Sequence, residues 1–252
     1  MPDTFTTSLI LFLAGLIAGT LNVIAGGGSL LTLPVMIFLG LPPTVANGTN
    51  RVAILVQNIG ASWSFHSRGM ISREWLVIAI PPALVGATLG TFAAVHIGEL
   101  AFQRILAVIL VIVAAWSIWR PLGLPTDGAA DAPTGARRWG FVAAFFLIGI
   151  YGGFIQAGVG FLLLAVTSAA GFNLIHGNAL KVAVVLGFTS VALVLFAWHG
   201  KVDWAMGVAL AAGNFVGGLA GVHLQVLKGH KWVQGVVTVT IVVFAVRLLF
   251  GS

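Results

Sequence analysis

Apolar runs recur along the whole of this chain and constrain it more than any single motif. They are Phe5–Ala25, Leu30–Leu39, Arg51–Phe65, Trp75–Val95, Phe102–Trp119, Trp139–Ile155, Phe161–Ala170, Asn178–Trp198, Trp204–Val222 and Trp232–Phe250. A helix needs roughly 20 apolar residues to cross a bilayer. The runs therefore predict an all-α membrane protein of about eight transmembrane helices, with breaks at glycine runs. Leu30–Leu39 and Phe161–Ala170 are too short to span alone. Only 7% of the 252 residues are charged, against roughly 25% in a soluble domain. Trp75, Trp119, Trp139, Trp198, Trp204 and Trp232 stand at segment ends and read as an interfacial belt. The chain has no cysteine, which excludes disulfides and thiolate metal sites. Its net charge of +6 sits mostly in short loops, so it reads as membrane topology and not as nucleic-acid binding. The first apolar run lacks a basic leader and a small-residue cleavage site, and is expected to be retained.

One linker stands out, Arg120–Arg138, rich in Pro, Gly, Ala and Asp. It divides the chain into a unit at 1–119 and a unit at 139–252, each expected to hold four helices. The units resemble each other. Gly48–Val56 matches Asn178–Leu186, with Arg51 opposite Lys181. Gly86–Ile97 matches Gly213–Leu224, and Ile24–Thr32 matches Gln156–Leu164. The turns around Gly69 and Gly200 also correspond, in the same order. An even number of crossings per unit makes such repeats parallel. An odd number, reached if the short segments after the glycines cross fully, makes them inverted. The even count is the expectation. It puts Arg68, Arg73, Arg120, Arg137, Arg138, Lys201 and Arg247 on the side of the N-terminus, inside the cell. Arg104, Lys228 and Lys231 fall on the other side.

Gly26, Gly27 and Gly28 interrupt the first unit, and Gly158-Val159-Gly160 interrupts the second. Each interior glycine costs a helix about 1 kcal/mol relative to alanine. Irregular backbone at membrane depth is tolerated only where it is buried in protein or lines a cavity, and paired breaks in two halves point to a transporter's binding site. The short helix after each break offers free N–H groups suited to an anion. Asn22, Ser29 and Gln156 gather beside the breaks. Gly86-xxx-Gly90 and Gly213-xxx-Gly217 read instead as close packing.

Arg51 and Lys181 are the sharpest signal. A basic residue inside a spanning helix costs about 2.5–3.5 kcal/mol. All six acidic residues, Asp3, Glu74, Glu99, Asp127, Asp131 and Asp203, read as terminal or loop residues. Two readings stand: snorkelling to the interface, or neutralisation by a bound anion at one pseudo-symmetric site. Asn47, Asn50 and Asn178 flank the pair as ligands or as helix caps. Asn22, Gln57 and His176 are candidates for a supporting role or for proton coupling. With no carboxylate in a membrane segment, coupling needs His176, backbone carbonyls or a proton carried by the substrate. His66, His199 and His230 read as interfacial loop residues, and His96 and His223 as helix-boundary residues. No catalytic set, phosphate loop or metal cluster appears, so the chain reads as a non-enzyme without cofactor.

The stretch Ala14–Asn50 resembles the TauE/SafE family of membrane permeases, also called the toluene-sulfonate uptake permease family. The resemblance rests on Gly26–Gly28, Leu33-Pro34, Leu41-Pro42, Ala46–Asn50 and the Ser67–Gly69 turn, and it recurs at Gly158–Gly160 and Gly200. It implies a multi-pass carrier in the cell membrane, expected to be the bacterial inner membrane. Its implied substrate is sulfite or a small organosulfonate anion, and the resemblance implies export as the direction. An anion-selective channel, or a carrier for another small anion, is the alternative. Membrane lipid is the other expected partner, nucleic acid is not, and homo-oligomerisation stays open.

Overall fold

The computed structural model describes residues 3–119 and 130–228, which form nine helices and, among the described residues, no strand. They are α1 (Thr4–Ala25), α2 (Ser29–Phe38), α3 (Pro43–His66), α4 (Arg73–His96), α5 (Glu99–Trp119), α6 (Gly135–Phe154), α7 (Val159–Ala170), α8 (Leu174–Trp198) and α9 (Trp204–Lys228). Local chemistry sets the boundaries. Asp3, Ser72 and Asn173 cap α1, α4 and α8, their side chains accepting from the N–H groups of Thr6, Trp75 and His176. Pro43 opens α3 at a position that needs no N–H donor. Gly26 closes α1 in the left-handed conformation at φ 84°, and Gly158 precedes α7 at φ 72°.

By length and apolarity α1, α4, α8 and α9 qualify as membrane-crossing helices. Helix α3 is as long as α4 but carries Asn47, Thr49, Asn50, Arg51, Gln57 and Asn58, all buried. It turns its polar residues inward, against the usual arrangement in water. The expected segment Trp232–Phe250 and most of the linker lie outside the described residues. The end of the linker is helical: Gly135–Arg138 form the first turn of α6, where the Arg137 guanidinium lies 5.7 Å from the Phe141 ring centre.

Glycines fix how the helices pair. Gly15 and Gly19 of α1 lie on Leu210 and Asn214 of α9, and Gly217 and Gly221 of α9 lie on Leu16, Thr20 and Val23. The register advances together, so α1 and α9 are parallel. The same holds for α4 and α6, where Gly149 and Gly153 lie on Ala83 and Ala87. Gly207 and Gly218 of α9 meet Val52 and Gln57 of α3 in rising order. Ile80 and His96 of α4 meet Gly187 within α8 and His199 just beyond its end, again in rising order. Helices α1, α3 and α9 therefore run one way, and α4, α6 and α8 run the other.

Corresponding helices of the two halves, α1 and α6, α3 and α8, α4 and α9, thus point in opposite directions. The expectation of parallel repeats is corrected to an inverted relation. The reason is that α2 and α7 each carry the chain back toward the face from which α1 and α6 started, which makes the count of crossings per half odd. The sidedness changes with it. Thr4, His96, Glu99 and Lys201 share one face, while Arg68, Arg73, Arg137 and Arg138 lie at the other. Lys201 and the start of α1 are on the face opposite those arginines, not beside them.

Three apolar clusters hold the helices together. One, at the arginine-bearing face, joins Val23, Ala61, Phe65, Ala179, Val182 and Val222. At the N-terminal face the closure is polar: Lys201 Nζ lies 2.8 Å from Glu99 Oε1, and Glu99 also accepts from the backbone N–H and hydroxyl of Thr44. Trp75 departs from the expected interfacial belt. It is buried, its ring 5.2 Å from Phe141 and 5.1 Å from Phe172 in edge-on contact, and its Nε1 donates to the Ala130 carbonyl. The indole has found a partner inside the protein, as a buried tryptophan requires. Trp139, Trp198 and Trp204 stay exposed.

Candidate functional site

The two glycine breaks meet at the centre of the fold. Gly160, in the first turn of α7, touches Gly26 backbone to backbone, and a Cβ on either residue would overlap the other. Gly27 lies against the Phe161 ring, and Gly28 against the Ala18 carbonyl and the Asn22 side chain. Gly158 supplies the left-handed turn into α7. Both runs thus serve close packing and helix breakage at once. Helices α2 and α7 begin here, and the first N–H groups of a helix have no intrahelical partner.

Around this crossing each half reaches into the other. Arg51 on α3 donates from Nη1 to the Gly152 carbonyl (3.1 Å) and to Gln156 Oε1 (2.8 Å), and from Nη2 to the Gly153 carbonyl (2.6 Å). Its guanidinium carbon lies 4.7 Å from the centre of the Phe196 ring, a cation–π contact. Lys181 on α8 donates from Nζ to the carbonyls of Asn22 and Val23, both at 2.8 Å. Asn47 Nδ2 donates to the Phe154 carbonyl, and Asn178 Nδ2 to the Ile24 carbonyl. Each basic residue and its companion asparagine therefore bind the carbonyl end of the broken helix in the opposite half. That end carries the negative pole of the helix dipole, and a hydrogen bond to a charged group is worth about 1.5–3 kcal/mol.

Neither cation snorkels: Arg51 is 0% and Lys181 2% exposed. Carbonyl dipoles orient them without cancelling their charge. The ion pair found among the described residues, Lys201 with Glu99, lies at the N-terminal face, so neither buried cation has a carboxylate partner there.

The remaining expected residues divide. Gln156 joins the Arg51 end, its Nε2 donating to Thr189 Oγ1 and its backbone N–H to Asn47 Oδ1. Asn22 Nδ2 donates to Gln57 Oε1, which brings both to the Lys181 end. Asn50 is turned to α2, accepting from Thr32 Oγ1 and donating to Ser29 Oγ. His176 stands in the first turn of α8, where its backbone N–H donates to Asn173 Oδ1, and one ring nitrogen contacts the same oxygen. Three further groups belong to this region. Phe196 stacks on Arg51, Thr91 donates to the Gly153 carbonyl, and Asn214 is fully buried on α9. Asn214 carried a signal in the sequence, as an amide set between the packing glycines Gly213 and Gly217.

The family model for the sulfite exporter TauE/SafE matches residues 11–248. The chain is 31% identical over 243 residues to a probable membrane transporter protein, ORF9, of Sinorhizobium sp., covering 95% of this chain and 91% of that protein. It is 29% identical to the probable membrane transporter protein YfcA of Escherichia coli K12, covering 96% and 90%. It is 27% identical to the probable membrane transporter protein YjnA of Bacillus subtilis, covering 96% and 100%. No solved structure matches. With apolar helices, a crossed pair of helix breaks and a match over nearly its full length, the chain belongs to the TauE/SafE sulfite exporter family and is a multi-pass membrane transporter.

Proposed function

We propose that the protein is a secondary carrier, and not an enzyme, that exports sulfite or a small organosulfonate across the cell membrane by alternating access. The observation that supports this is the pair of buried cations, Arg51 and Lys181, held at two helix breaks without a carboxylate partner among the described residues. Uncompensated charge in a protein interior is costly, and a diffusible anion removes that cost in the place where broken-helix carriers hold their ligands. The N-terminal turns of α2 and α7 at Gly26–Gly28 and Gly158–Gly160 lie around it, and Asn47, Asn50, Asn178 and Gln156 brace those breaks with their amide N–H groups. The sulfur chemistry rests on the family's description; the relatives are named only as probable membrane transporters.

The membrane arrangement we propose has eight long spans, two sets of four, each with one short helix that folds back. The first set lies within 1–119 and the second starts with α6 at Gly135, the linker ending before it. Exposed Leu13, Ile17, Val77 and Leu89 face lipid. By the positive-inside rule the face with Arg68, Arg73, Arg137 and Arg138 is cytoplasmic and the N-terminus external.

Sulfite counterflow in proteoliposomes tests this reading. A carrier gives saturable exchange that is accelerated by unlabelled sulfite on the far side. Flux that rises linearly with gradient and shows no exchange would favour a channel instead.

A further inference from the structure

The Arg51 and Lys181 ends are related by inversion, but their hydrogen bonding is not equivalent. At the Arg51 end almost every polar atom is used. Gln156 accepts from Arg51 and donates to Thr189, and Asn47 donates to the Phe154 carbonyl while accepting from the Gln156 N–H. Only Arg51 Nε is left over. At the Lys181 end the side chains are half used. Lys181 makes two hydrogen bonds with three donors. Asn178 Oδ1, Gln57 Nε2 and both side-chain atoms of Asn214 have no hydrogen-bond partner among the described residues. All four residues are at most 2% exposed. Buried polar atoms are rarely left unpaired, and a cluster of them marks a missing partner.

These residues lie together. Lys181 binds the Asn22 carbonyl, and the Asn22 side chain binds Gln57. A Cβ on Gly218 would stand 2.6 Å from Gln57 Cγ, and Asn214 is one turn away on α9. Gly19, just before Asn22 on α1, packs against the Asn214 backbone. Packing alone does not call for these amides. The counterpart of Asn214 is Ala87, against which Gly153 packs as Gly19 packs against Asn214. The counterpart of Gln57 is Gly187, which meets only the aliphatic side chain of Ile80.

We infer that the ligand seat lies at the Lys181 end, lined by Lys181, Asn178, Gln57 and Asn214, and takes a small monoanion that still carries an O–H. This rests on the anion-carrier reading above. The ammonium disfavours a cation. The amide donors of Gln57 and Asn214 suit oxyanion oxygens. The oxygens of Asn178 and Asn214 need a hydrogen-bond donor, which a fully deprotonated dianion lacks. Asn178 is fixed in orientation by its bond to the Ile24 carbonyl, and Asn214 offers one donor and one acceptor whichever way its amide is turned. Hydrogensulfite has this chemistry, and its own proton travels with it. Lys181 is faced by the Asn22 and Val23 carbonyls of α1; Gln57 of α3 reaches this end through the Asn22 side chain, and Asn214 of α9 through Gly19, one turn before Val23. Arg51 of α3 is directed to α6, and His176 is the titratable neighbour on α8.

The test measures anion affinity of the purified full chain from its thermal stabilisation, at pH values below and above the second ionisation of sulfurous acid. The probes are sulfite, sulfate as a permanent dianion, and methanesulfonate as a permanent monoanion that reports any change in the Lys181 charge. Wild type should bind sulfite about tenfold more tightly on the acid side, with methanesulfonate affinity constant. Asn214→Ala, which installs the residue found at the counterpart position, should fold normally, lose about tenfold in acid-side sulfite affinity and flatten the pH dependence. Thr189→Val at the Arg51 end should change neither. Asn214→Ala with unchanged affinity and pH profile, or Thr189→Val with the larger loss, would overturn the assignment. Sulfite binding that does not depend on pH removes the O–H requirement but leaves the anion carrier standing. No binding of any anion by wild type removes both.

Discussion

Lys181 of α8 and Asn22 of α1 are joined by a 2.8 Å hydrogen bond from the ammonium to a main-chain carbonyl, so a charge from the second half closes the end of the first helix. Arg51 does the same in reverse at Gly153, 2.6 Å away. The two halves are therefore interlocked at their breaks, and the two buried charges hold the broken helices in place.

Removing either charge should cost stability as well as transport. Each carbonyl left buried and unpaired costs about 1–3 kcal/mol. Arg51→Gln removes the two carbonyl contacts and the Gln156 contact, and should lower the thermal midpoint in detergent more than Lys181→Met, which loses two contacts. Arg51→Lys keeps the charge but not the planar fork, and should fall between Arg51→Gln and wild type. Equal midpoints for all of them would contradict the clamp.

The contact between Gly26 and Gly160 leaves no room for a methyl group. Gly160→Ala should destabilise by about 1–3 kcal/mol or misfold, the usual range for overpacking. Gly98→Ala is the control, since nothing lies within 4 Å of its added Cβ. Thermal unfolding of the two variants side by side checks this, and a tolerant Gly160 would contradict the crossing.

Sidedness is open to labelling because the chain has no cysteine. Gly98→Cys and Ser67→Cys lie at opposite faces, and both positions are exposed. A membrane-impermeant maleimide should label Gly98→Cys in intact cells and Ser67→Cys only after permeabilisation. Labelling of both from one side would contradict the crossing of the membrane by α4 between them.

Most helix limits were legible because the bilayer demands long apolar runs and because proline, glycine and capping residues punctuate them. Arg51 and Lys181 were legible because charge is rare in such runs. Direction was not. The repeat shows the order of matching segments, and order is the same for parallel and inverted units. What decides it is whether α2, ten residues and about 15 Å long, returns the chain toward its starting face. The partners of the two cations were also hidden, because main-chain carbonyls are the same in every residue. Trp75 misled for a related reason: its partner is the Ala130 carbonyl, again a main-chain group.

The Glu99–Lys201 pair is 39% and 27% exposed, so solvent screens it. Glu99→Gln should cost less than about 1 kcal/mol, and the difference from wild type should shrink further at high salt. A salt-independent loss of several kcal/mol in denaturant unfolding would show that the contact carries more than a surface pair does.

The most direct test of the central claim is the thermal unfolding midpoint of the purified protein against sulfite, thiosulfate, methanesulfonate, sulfate and chloride, with Lys181→Met alongside. A ligand at 100 times its dissociation constant stabilises by about 2.7 kcal/mol. Selective stabilisation by a sulfur monoanion, lost in Lys181→Met, is the predicted result. A wild-type midpoint that no anion moves would contradict the claim that these buried cations hold a substrate.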